Sequence, residues 1–205
     1  MNILVIGPQG SGKSTQAKLL AKKLKVSYLS TGEIFRQMAK TETAFGKRIK
    51  RLINQGNLVD DKTTLKIIKE YLKKPEFEKG FVAEGFPRNL FQVEKLQKVF
   101  DKVFHLAISK KEIMKRLASR RVCQNCKANF NLLTKPSKKK GVCDSCGGKL
   151  VQREDDKKKA IEKRLIIYQK LTQPVLSFYQ RQGILEEIDG ERPAEEIFQD
   201  IFSQL

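Results

Sequence analysis

The chain has 205 residues, enough for one buried core with an insertion or two. It is 40% hydrophobic and 32% charged, and no apolar run approaches the ~18 residues of a membrane-spanning helix. Lys and Arg number 42 against 23 acidic residues, a net charge of +19, which fits phosphate-rich substrates or nucleic acid. Many lysines form short runs or lie on helix faces, so the charge supports nucleic acid only weakly. Since Met1 leads directly into an apolar run without a signal peptide, we expect a cytoplasmic protein.

The first predicted element is a buried strand that ends in a phosphate loop. Residues 3–6 are all apolar, as in a parallel strand covered on both faces. They lead into GPQGSGKS at 7–14, the pattern G-x-x-x-x-G-K-[ST], whose backbone N–H groups surround a phosphate. In such a loop Lys13 reaches the β- and γ-phosphates, and the Ser14 hydroxyl can ligate Mg²⁺. A plain glycine turn is the alternative, but an amphipathic helix follows at 16–25, so the sequence predicts a nucleoside triphosphate site.

Strands and helices then alternate to the end of the chain. A strand ending near Leu29 leads into a helix whose Ser30-x-x-Glu33 spacing is that of a capping box. Further strands are predicted at 81–83, 103–108 and 184–188, and further helices at 36–54, 60–74, 90–99, 110–121, 155–182 and 193–203. Pro174 predicts a kink or break in the longest helix. The alternation predicts an α/β fold with a doubly wound parallel sheet that binds ligands at the carboxyl ends of its strands.

All four cysteines are spaced as the two knuckles of one metal site. Two residues lie between Cys123 and Cys126, two lie between Cys143 and Cys146, and sixteen separate the two pairs. Four thiolates form a closed tetrahedral site, which favours a structural Zn²⁺ that supplies folding energy to a segment too short for its own core. Two disulfides are the competing interpretation, but they require an oxidising compartment. The single histidine, His105, is expected to be an ordinary strand residue rather than a ligand or base.

Arginines recur at the ends of the predicted elements. Arg36 lies about one turn after Thr31, and Arg88 follows the Gly-Phe-Pro that ends a strand. Others end the helix before the cysteines or flank the acidic residues after them: Arg116, Arg120, Arg121, Arg153 and Arg164. A single arginine is most often a surface residue, but several around one phosphate loop can hold phosphate oxygens with their planar forks.

Eight ordered stretches add a further signal: GPQGSGKSTQ, STGEIFR, GNLV, GFPRN with Gln92, KRLASRRVCQNC, GVCDSCGGKLVQREDD, EKRLIIY and DGERP. Together they resemble the adenylate kinases of the zinc-bearing, long-lid type, from residue 3 to about 193. The resemblance implies a single kinase domain over 1–205, with a monophosphate-binding flap at 30–59, a mobile zinc-binding lid at 119–156 and the remainder as core. It implies ATP, AMP and ADP as substrates, Mg²⁺ with the ATP, and a monomer without nucleic-acid or membrane partners.

The resemblance also assigns the site residues. Those placed against ATP are Gly10, Ser11, Gly12, Lys13, Ser14, Thr15, Arg116, Arg120, Asn129, Phe130 and, through its backbone, Arg192. Those placed against AMP are Thr31, Arg36, Asn57, Leu58, Val59, Gly85, Phe86, Pro87, Arg88, Gln92, Arg153 and Arg164. The implied catalytic set is Lys13, Arg88, Arg120, Arg153, Asp155 and Arg164. The attacking phosphate is already an anion, so catalysis needs alignment and charge stabilisation rather than a general base.

Four positions depart from the pattern of that family. Gln9 replaces a usual proline, Ser14 a usual glycine, and Glu33 and Glu84 replace usual aspartates. Our hypothesis is that Ser14 makes a more direct contact with Mg²⁺, while Glu84 orders water around the ion. The change at Glu33 is expected to have little consequence in the first turn of a helix.

Two other functions remain open at this point. A kinase for UMP, CMP or another monophosphate would share the motifs, although Thr31 favours adenine because pyrimidine-specific relatives tend to carry a smaller residue there. A zinc-ribbon nucleic-acid-binding protein is supported by the net charge of +19 and the four cysteines. The ribbon segment, however, lacks aromatic residues beyond Phe130 on which bases could stack.

Overall fold

The computed structural model describes residues 1–96 and 99–205 and contains two separate sheets. The strands are β1 (Asn2–Ile6), β2 (Ser27–Ser30), β3 (Phe81–Glu84), β4 (Lys102–Ala107), β5 (Arg120–Cys123), β6 (Asn129–Asn131), β7 (Leu150–Val151) and β8 (Leu185–Asp189). Five of them form a parallel sheet in the order β2-β3-β1-β4-β8. The other three form an antiparallel sheet in the order β6-β5-β7.

Helices connect and cover these strands. They are α1 (Lys13–Leu24), α2 (Thr31–Met38), α3 (Ala44–Asn54), α4 (Asp61–Leu72), α5 (Leu90–Leu96), α6 (Lys110–Ser119), α7 (Lys158–Ile167), α8 (Gln173–Arg181) and α9 (Ala194–Phe202). The helix predicted over 90–99 includes residues 97 and 98, which lie outside the described residues. In the described ranges, no helix is both long enough and apolar enough to cross a membrane.

The parallel sheet is buried on both faces, as the apolar run of β1 predicts. Ile3 and Val5 belong to the core cluster that includes residues of α1 and α9. Leu4 and Ile6, which point the other way because side chains alternate along a strand, belong to the cluster that includes residues of α4 and α8. Each fully buried side chain of this kind contributes about 1.5–3 kcal/mol to stability. The predicted doubly wound α/β fold is therefore confirmed.

The helix predicted over 36–54 is interrupted in the structure. The first helix, α2, ends at Met38, and α3 begins only after Thr43, whose hydroxyl accepts a hydrogen bond from the Gly46 N–H at 3.0 Å. Threonine hydroxyls offer the backbone such local bonds in place of helical ones. Two threonines in TET at 41–43 therefore favour a cap over a continuous helix.

The helix predicted over 155–182 is also divided. A 3₁₀ turn at Glu154–Asp156 precedes α7, and a π-helical turn at Tyr168–Thr172 joins α7 to α8. Pro174 lies in the first turn of α8, where its missing N–H and fixed φ are tolerated. The predicted break near Pro174 thus takes the form of a π turn just before it.

The cysteine segment contains strands that the sequence analysis did not predict. The helix expected to reach about residue 121 ends at Ser119, because Arg120–Cys123 pairs with β6 and β7. The small sheet encloses its own cluster of buried side chains, Cys123, Phe130, Cys143 and Leu150. Strands of two to four residues carry little periodicity, so the pairing was not visible in the sequence.

Candidate active site

The phosphate loop lies between the carboxyl end of β1 and the start of α1. Gly10 and Gly12 have φ of +83° and +91°, a left-handed conformation that residues with a Cβ rarely adopt. The Ser11 hydroxyl is fully buried and has no hydrogen-bond partner among the described residues. An orphaned buried hydroxyl is costly unless a ligand satisfies it. The loop therefore fits an oxygen-rich anion such as phosphate.

Lys13 begins α1 and is buried inside this loop. Its Nζ donates a hydrogen bond to the Pro8 carbonyl at 3.1 Å. Burial is the main cause that lowers the pKa of Lys13 to about 7, with Glu84 acting in the opposite direction and Arg88 and Arg164 adding to the depression. A buried amine in such surroundings gains from the approach of an anion, which would restore its charge.

Glu84, at the end of β3, is the buried acid next to the phosphate loop. Its carboxylate accepts a hydrogen bond from the Ser30 hydroxyl, and the Tyr28 hydroxyl lies 3.4 Å away. Burial alone would raise the pKa of Glu84, but Lys13, Ser30, Arg88 and Arg36 together bring it below the usual value. Glu84 is therefore ionised and can balance cations, whether protein side chains or a metal ion.

A cavity opens beside the loop, between α2, α7 and the end of β3. Many residues that the resemblance assigns to AMP line it: Thr31, Arg36, Asn57, Leu58, Val59, Gly85, Arg88, Gln92 and Arg164. Gly85 has φ of +90°, and a Cβ on it would lie 2.6 Å from the Thr31 hydroxyl oxygen, so only glycine fits at this wall. Phe86 does not line the cavity, because its side chain is buried in the core against Phe100.

Arg88 is held in the cavity wall by neutral partners. The Arg88 Nε donates to the Gly85 carbonyl at 2.6 Å, and the Arg88 carbonyl accepts from the Thr172 hydroxyl at 2.9 Å. The Gln92 side chain accepts from the Arg88 N–H at 2.7 Å and donates to Asp61, also at 2.7 Å. The described contacts of Gln92 are therefore those of a residue that supports the Arg88 loop.

Arg36 projects into the same cavity from α2. Its guanidinium lies over Gly32, and it makes no hydrogen bond or ion pair within residues 1–96 and 99–205. Burial and the nearby Arg153 lower the pKa of Arg36 to about 10, which leaves it charged at neutral pH. Arg36 and Arg88 thus line this cavity and Lys13 lies in the adjoining phosphate loop, and none of the three forms an ion pair with a carboxylate in the described ranges.

Two arginines that follow the cysteines in the chain, Arg153 and Arg164, are paired with buried acids. Arg153 and Arg164 form ion pairs with Asp155, and Arg164 Nη1 also donates to the Asp155 carbonyl at 2.9 Å. Burial alone would raise the pKa of Asp155, but Arg153 and Arg164 lower it to about 2. Arg164 and Asp155 line the cavity, whereas Arg153, which the resemblance assigns to AMP, is not part of its lining.

Asp156 is the acid that the sequence analysis missed. Its side chain is completely buried and accepts hydrogen bonds from Arg120, with Nε at 2.7 Å. The signal was present in the sequence, since two adjacent aspartates follow Arg153 and only one of them was assigned a role. Which arginine each aspartate pairs with, Arg120 for Asp156 and Arg153 for Asp155, depends on the fold.

The remaining residues assigned to ATP do not line this cavity. Arg116 donates to the Gly190 and Glu191 carbonyls at 2.8 and 3.0 Å and so holds the loop that carries Arg192, while the Arg192 side chain pairs with Asp200. Ser14 is half-buried and Thr15 exposed at the start of α1. In the small sheet Asn129 is exposed, whereas the Phe130 side chain is buried among the cysteines.

The four cysteines converge in the small sheet. Their Sγ atoms all lie within 4.8 Å of one another, with Cys123–Cys146 and Cys126–Cys143 at 3.5 Å. These separations exceed the ~2.05 Å of a disulfide and approach the ~3.8 Å expected between thiolates around one Zn²⁺. The cysteines are free thiols that could hold a metal ion. His105, by contrast, lies in β4, hydrogen-bonded to Glu187 at 3.1 Å and to the Tyr168 hydroxyl at 3.2 Å.

A phosphate loop at the end of the central strand, facing a cavity lined by unpaired and paired cations, defines a phosphate-loop phosphotransferase. The family model of adenylate kinase matches residues 5–184. An adenylate kinase of Methanocella arvoryzae is 41% identical over 208 residues, covering 98% of this chain and 96% of the relative. Those of Caldicellulosiruptor bescii and Archaeoglobus fulgidus are 41% and 38% identical, covering 90% and 98% of this chain and 89% and 96% of the relatives.

The chain belongs to the adenylate kinase family. It is therefore a nucleoside monophosphate kinase, and the reaction of the family is phosphoryl transfer between ATP and AMP to give two ADP, with Mg²⁺ accompanying the ATP. The predicted family, fold and enzyme class are confirmed.

Proposed function

We propose that this chain transfers the γ-phosphoryl group of Mg·ATP to AMP in line, with ATP on the phosphate loop and AMP in the adjoining cavity. The observation that carries the proposal is a set of three cations at the phosphate loop and the adjoining cavity. Buried Lys13 in the loop and half-buried Arg36 and Arg88 in the cavity lining form no ion pair with a carboxylate among the described residues. Cations withdrawn from water without a counter-ion are costly, and phosphate groups between them would reduce that cost.

In this proposal each cation has a distinct task. Lys13 holds the phosphates of ATP, Arg36 and Arg88 hold the phosphate of AMP, and Arg120, Arg153 and Arg164 neutralise the group in transit. When the phosphates bind, these three arginines either break their ion pairs with Asp155 and Asp156 or contact the carboxylates and the phosphates together. Because AMP attacks as an anion, alignment and charge stabilisation provide the rate enhancement.

The proposal also assigns the mobile parts. Residues 30–59 act as the flap over AMP, and residues 119–156 act as the lid over ATP. Their support is that α2 and α3 line the cavity, while β5, β6 and β7 form a sheet separate from the central one. Closure of the lid would exclude water, which could otherwise accept the phosphoryl group. We further propose a cytoplasmic monomer that has no nucleic-acid or membrane partner.

Two metal ions belong to the proposal. Zn²⁺ would be held by Cys123, Cys126, Cys143 and Cys146, where it would supply folding energy to the lid. Mg²⁺ would be held by the Ser14 hydroxyl, with Glu84 ordering its water, and when bound it neutralises phosphate oxygens. The ionised state of the buried Glu84 and its position beside Lys13 support this second site.

We expect AMP to be the preferred acceptor in a panel of AMP, CMP, UMP and GMP with Mg·ATP as donor. Thr31 is buried at the cavity wall, and a site built around one base rejects others by roughly 10²-fold or more in kcat/KM. The measurement is the initial rate of diphosphate formation for each acceptor. A preference for a pyrimidine monophosphate would keep the mechanism but refute the proposed substrate.

Glu84→Gln is expected to raise the Mg²⁺ concentration needed for half-maximal rate and to lower turnover by roughly 10- to 100-fold, as losses around a metal site usually do. The change removes the charge but keeps an oxygen for the Ser30 hydroxyl. A Mg²⁺ titration at saturating nucleotides gives the result. Glu33→Gln is the matched control, because Glu33 is half-exposed and paired with Lys18 at 2.7 Å. Unchanged Mg²⁺ dependence in Glu84→Gln would contradict the assigned role.

A further inference from the structure

Gln9 is a polar side chain buried inside the phosphate loop. It is only 4% exposed, and it lines the cavity together with Asp155 and Arg164. Its Nε2 donates a hydrogen bond to the Ile161 carbonyl at 3.3 Å. The contact joins two segments that are 152 residues apart in the chain.

The helix does not need this hydrogen bond. Ile161 lies inside α7, where a carbonyl normally accepts from the N–H four residues later. An additional donor therefore does not satisfy an otherwise empty group of α7. The hydrogen bond instead stabilises the phosphate loop. The glycines of the loop leave its backbone flexible, and the buried Gln9 carboxamide requires a hydrogen-bond partner.

Ile161 lies on the same helix as Arg164, so the hydrogen bond from Gln9 can affect the position of that arginine. Arg164 lies about one turn further along α7 and is bonded to Asp155, and both residues line the cavity. The same helix packs on α6 through Ile161 and Leu165 against Ile113 and Leu117. Gln9 thus connects the loop that carries Lys13 to the helix that carries Arg164.

We propose that Gln9 is a positioning residue, which fixes the phosphate loop against α7 and so sets the separation of Lys13 and Arg164. The inference rests on the proposed function, since the two cations then act on the same phosphoryl group from opposite sides. Gln9 makes no covalent step and donates no proton. Its effect is exerted through Arg164, because misplaced charge is less effective in a pre-organised site.

The test compares Gln9→Leu with the unchanged enzyme. Leucine approximates the volume of glutamine but cannot donate, so we expect kcat to fall by about two- to tenfold, the equivalent of one buried neutral hydrogen bond. The KM values for ATP and AMP and the melting temperature should stay nearly constant. Gln9→Asn, which keeps the amide but is one methylene shorter, should behave in the same way and serves if the leucine variant folds poorly.

A double-mutant cycle separates positioning from general loosening of the site. In an Arg164→Lys background, Gln9→Leu should lower kcat by less than its effect alone, because the cation it positions is already altered. In an Arg36→Lys background, where the described residues show no contact with Gln9, its full effect should remain. Equal effects in both backgrounds would overturn the proposal, as would a loss of kcat accompanied by a proportional loss of melting temperature.

Hydrogen exchange in the unliganded protein gives a readout that does not depend on turnover. The amides of residues 9–12 should exchange about two- to tenfold faster in Gln9→Leu than in the unchanged protein. Unchanged exchange rates in Gln9→Leu would show that the hydrogen bond from Gln9 to the Ile161 carbonyl does not hold the loop in place. If instead the unchanged protein transferred no phosphoryl group to any acceptor, the proposed function would fail, while the exchange result would still decide whether Gln9 fixes the loop.

Discussion

Lys13→Ala is expected to reduce phosphoryl transfer by roughly 10²- to 10³-fold or more, the scale on which a single pre-organised stabilising group acts. The side chain is buried within hydrogen-bond reach of the loop backbone, and in the proposed reaction its charge faces the phosphates of ATP. Initial rates with Mg·ATP and AMP give the result. Lys22→Ala is the matched control, since Lys22 lies on the exposed face of the same helix.

Stability measurements show whether Lys13→Ala retains the fold. The pKa of Lys13 is about 7 in the folded protein against 10.5 for an ordinary lysine, so between these values the unfolded chain binds more protons and the free energy of unfolding rises with pH. Below pH 7 the amine is charged in both states and this contribution is constant. Lys13→Ala lacks this pH-dependent contribution of the amine. The free energy of unfolding of the variant should therefore fall behind that of the unchanged protein by up to ~1.4 kcal/mol for each pH unit across this window.

Two results would contradict this account of Lys13. If Lys13→Ala unfolded at neutral pH, the residue would be structural rather than catalytic. If the two proteins showed the same pH dependence between pH 7 and 10, Lys13 would not titrate in the folded state as its burial requires. Measurements above pH 7 avoid the separate effect of leaving Glu84 without its neighbouring cation in acid.

Cys143→Ser is expected to lower the melting temperature by roughly 5–15 °C. A structural metal contributes several kcal/mol to the free energy of unfolding, and each kcal/mol lost lowers the melting temperature of a chain of this size by about 2–4 °C. The small sheet has only a few buried side chains, and two of them, Cys123 and Cys143, are themselves ligands in the proposed site. Turnover at moderate temperature should change little, since the cysteines lie apart from the cavity lining. Calorimetry and initial rates provide the two measurements.

The control for this prediction is Ser145→Ala, which lies between two cysteines but is exposed. It should melt as the unchanged protein does. A strong chelator should lower the melting temperature of the unchanged protein toward that of Cys143→Ser and should have little effect on the variant. A loss of turnover at unchanged melting temperature would count against a structural metal.

The parts of the molecule that the sequence predicted are those encoded in short contiguous patterns. A phosphate loop needs its glycines, Lys13 and Ser14 in fixed spacing, and two cysteine pairs need a two-residue gap to converge on one ion. The apolar run of β1 indicated a strand covered on both faces, and the alternation of elements indicated a parallel sheet. Each of these properties depends mainly on neighbours along the chain.

Patterns of longer range were less visible. The break between α2 and α3 depends on whether the threonine hydroxyls cap a helix or face solvent, and the short strands of the cysteine segment form only because they meet one another. The pattern along the chain predicted a continuous helix over 36–54 and a helix that reached about residue 121, and it predicted no strand in the cysteine segment. Pairing and capping decided otherwise, because each supplies backbone hydrogen bonds that the helix would have supplied.

By itself, the sequence determined the family, the fold class, the phosphate loop and the set of thiols, because each is written in local spacing. The tertiary structure decided which acid pairs with which arginine, placing Arg120 on Asp156 36 residues away. It also decided that Gln9 meets Ile161, that Lys13 loses part of its basicity through burial, and that Arg36 faces the cavity without a partner among the described residues. These properties depend on desolvation and on distances between segments remote in the chain, which take values only when the core has packed.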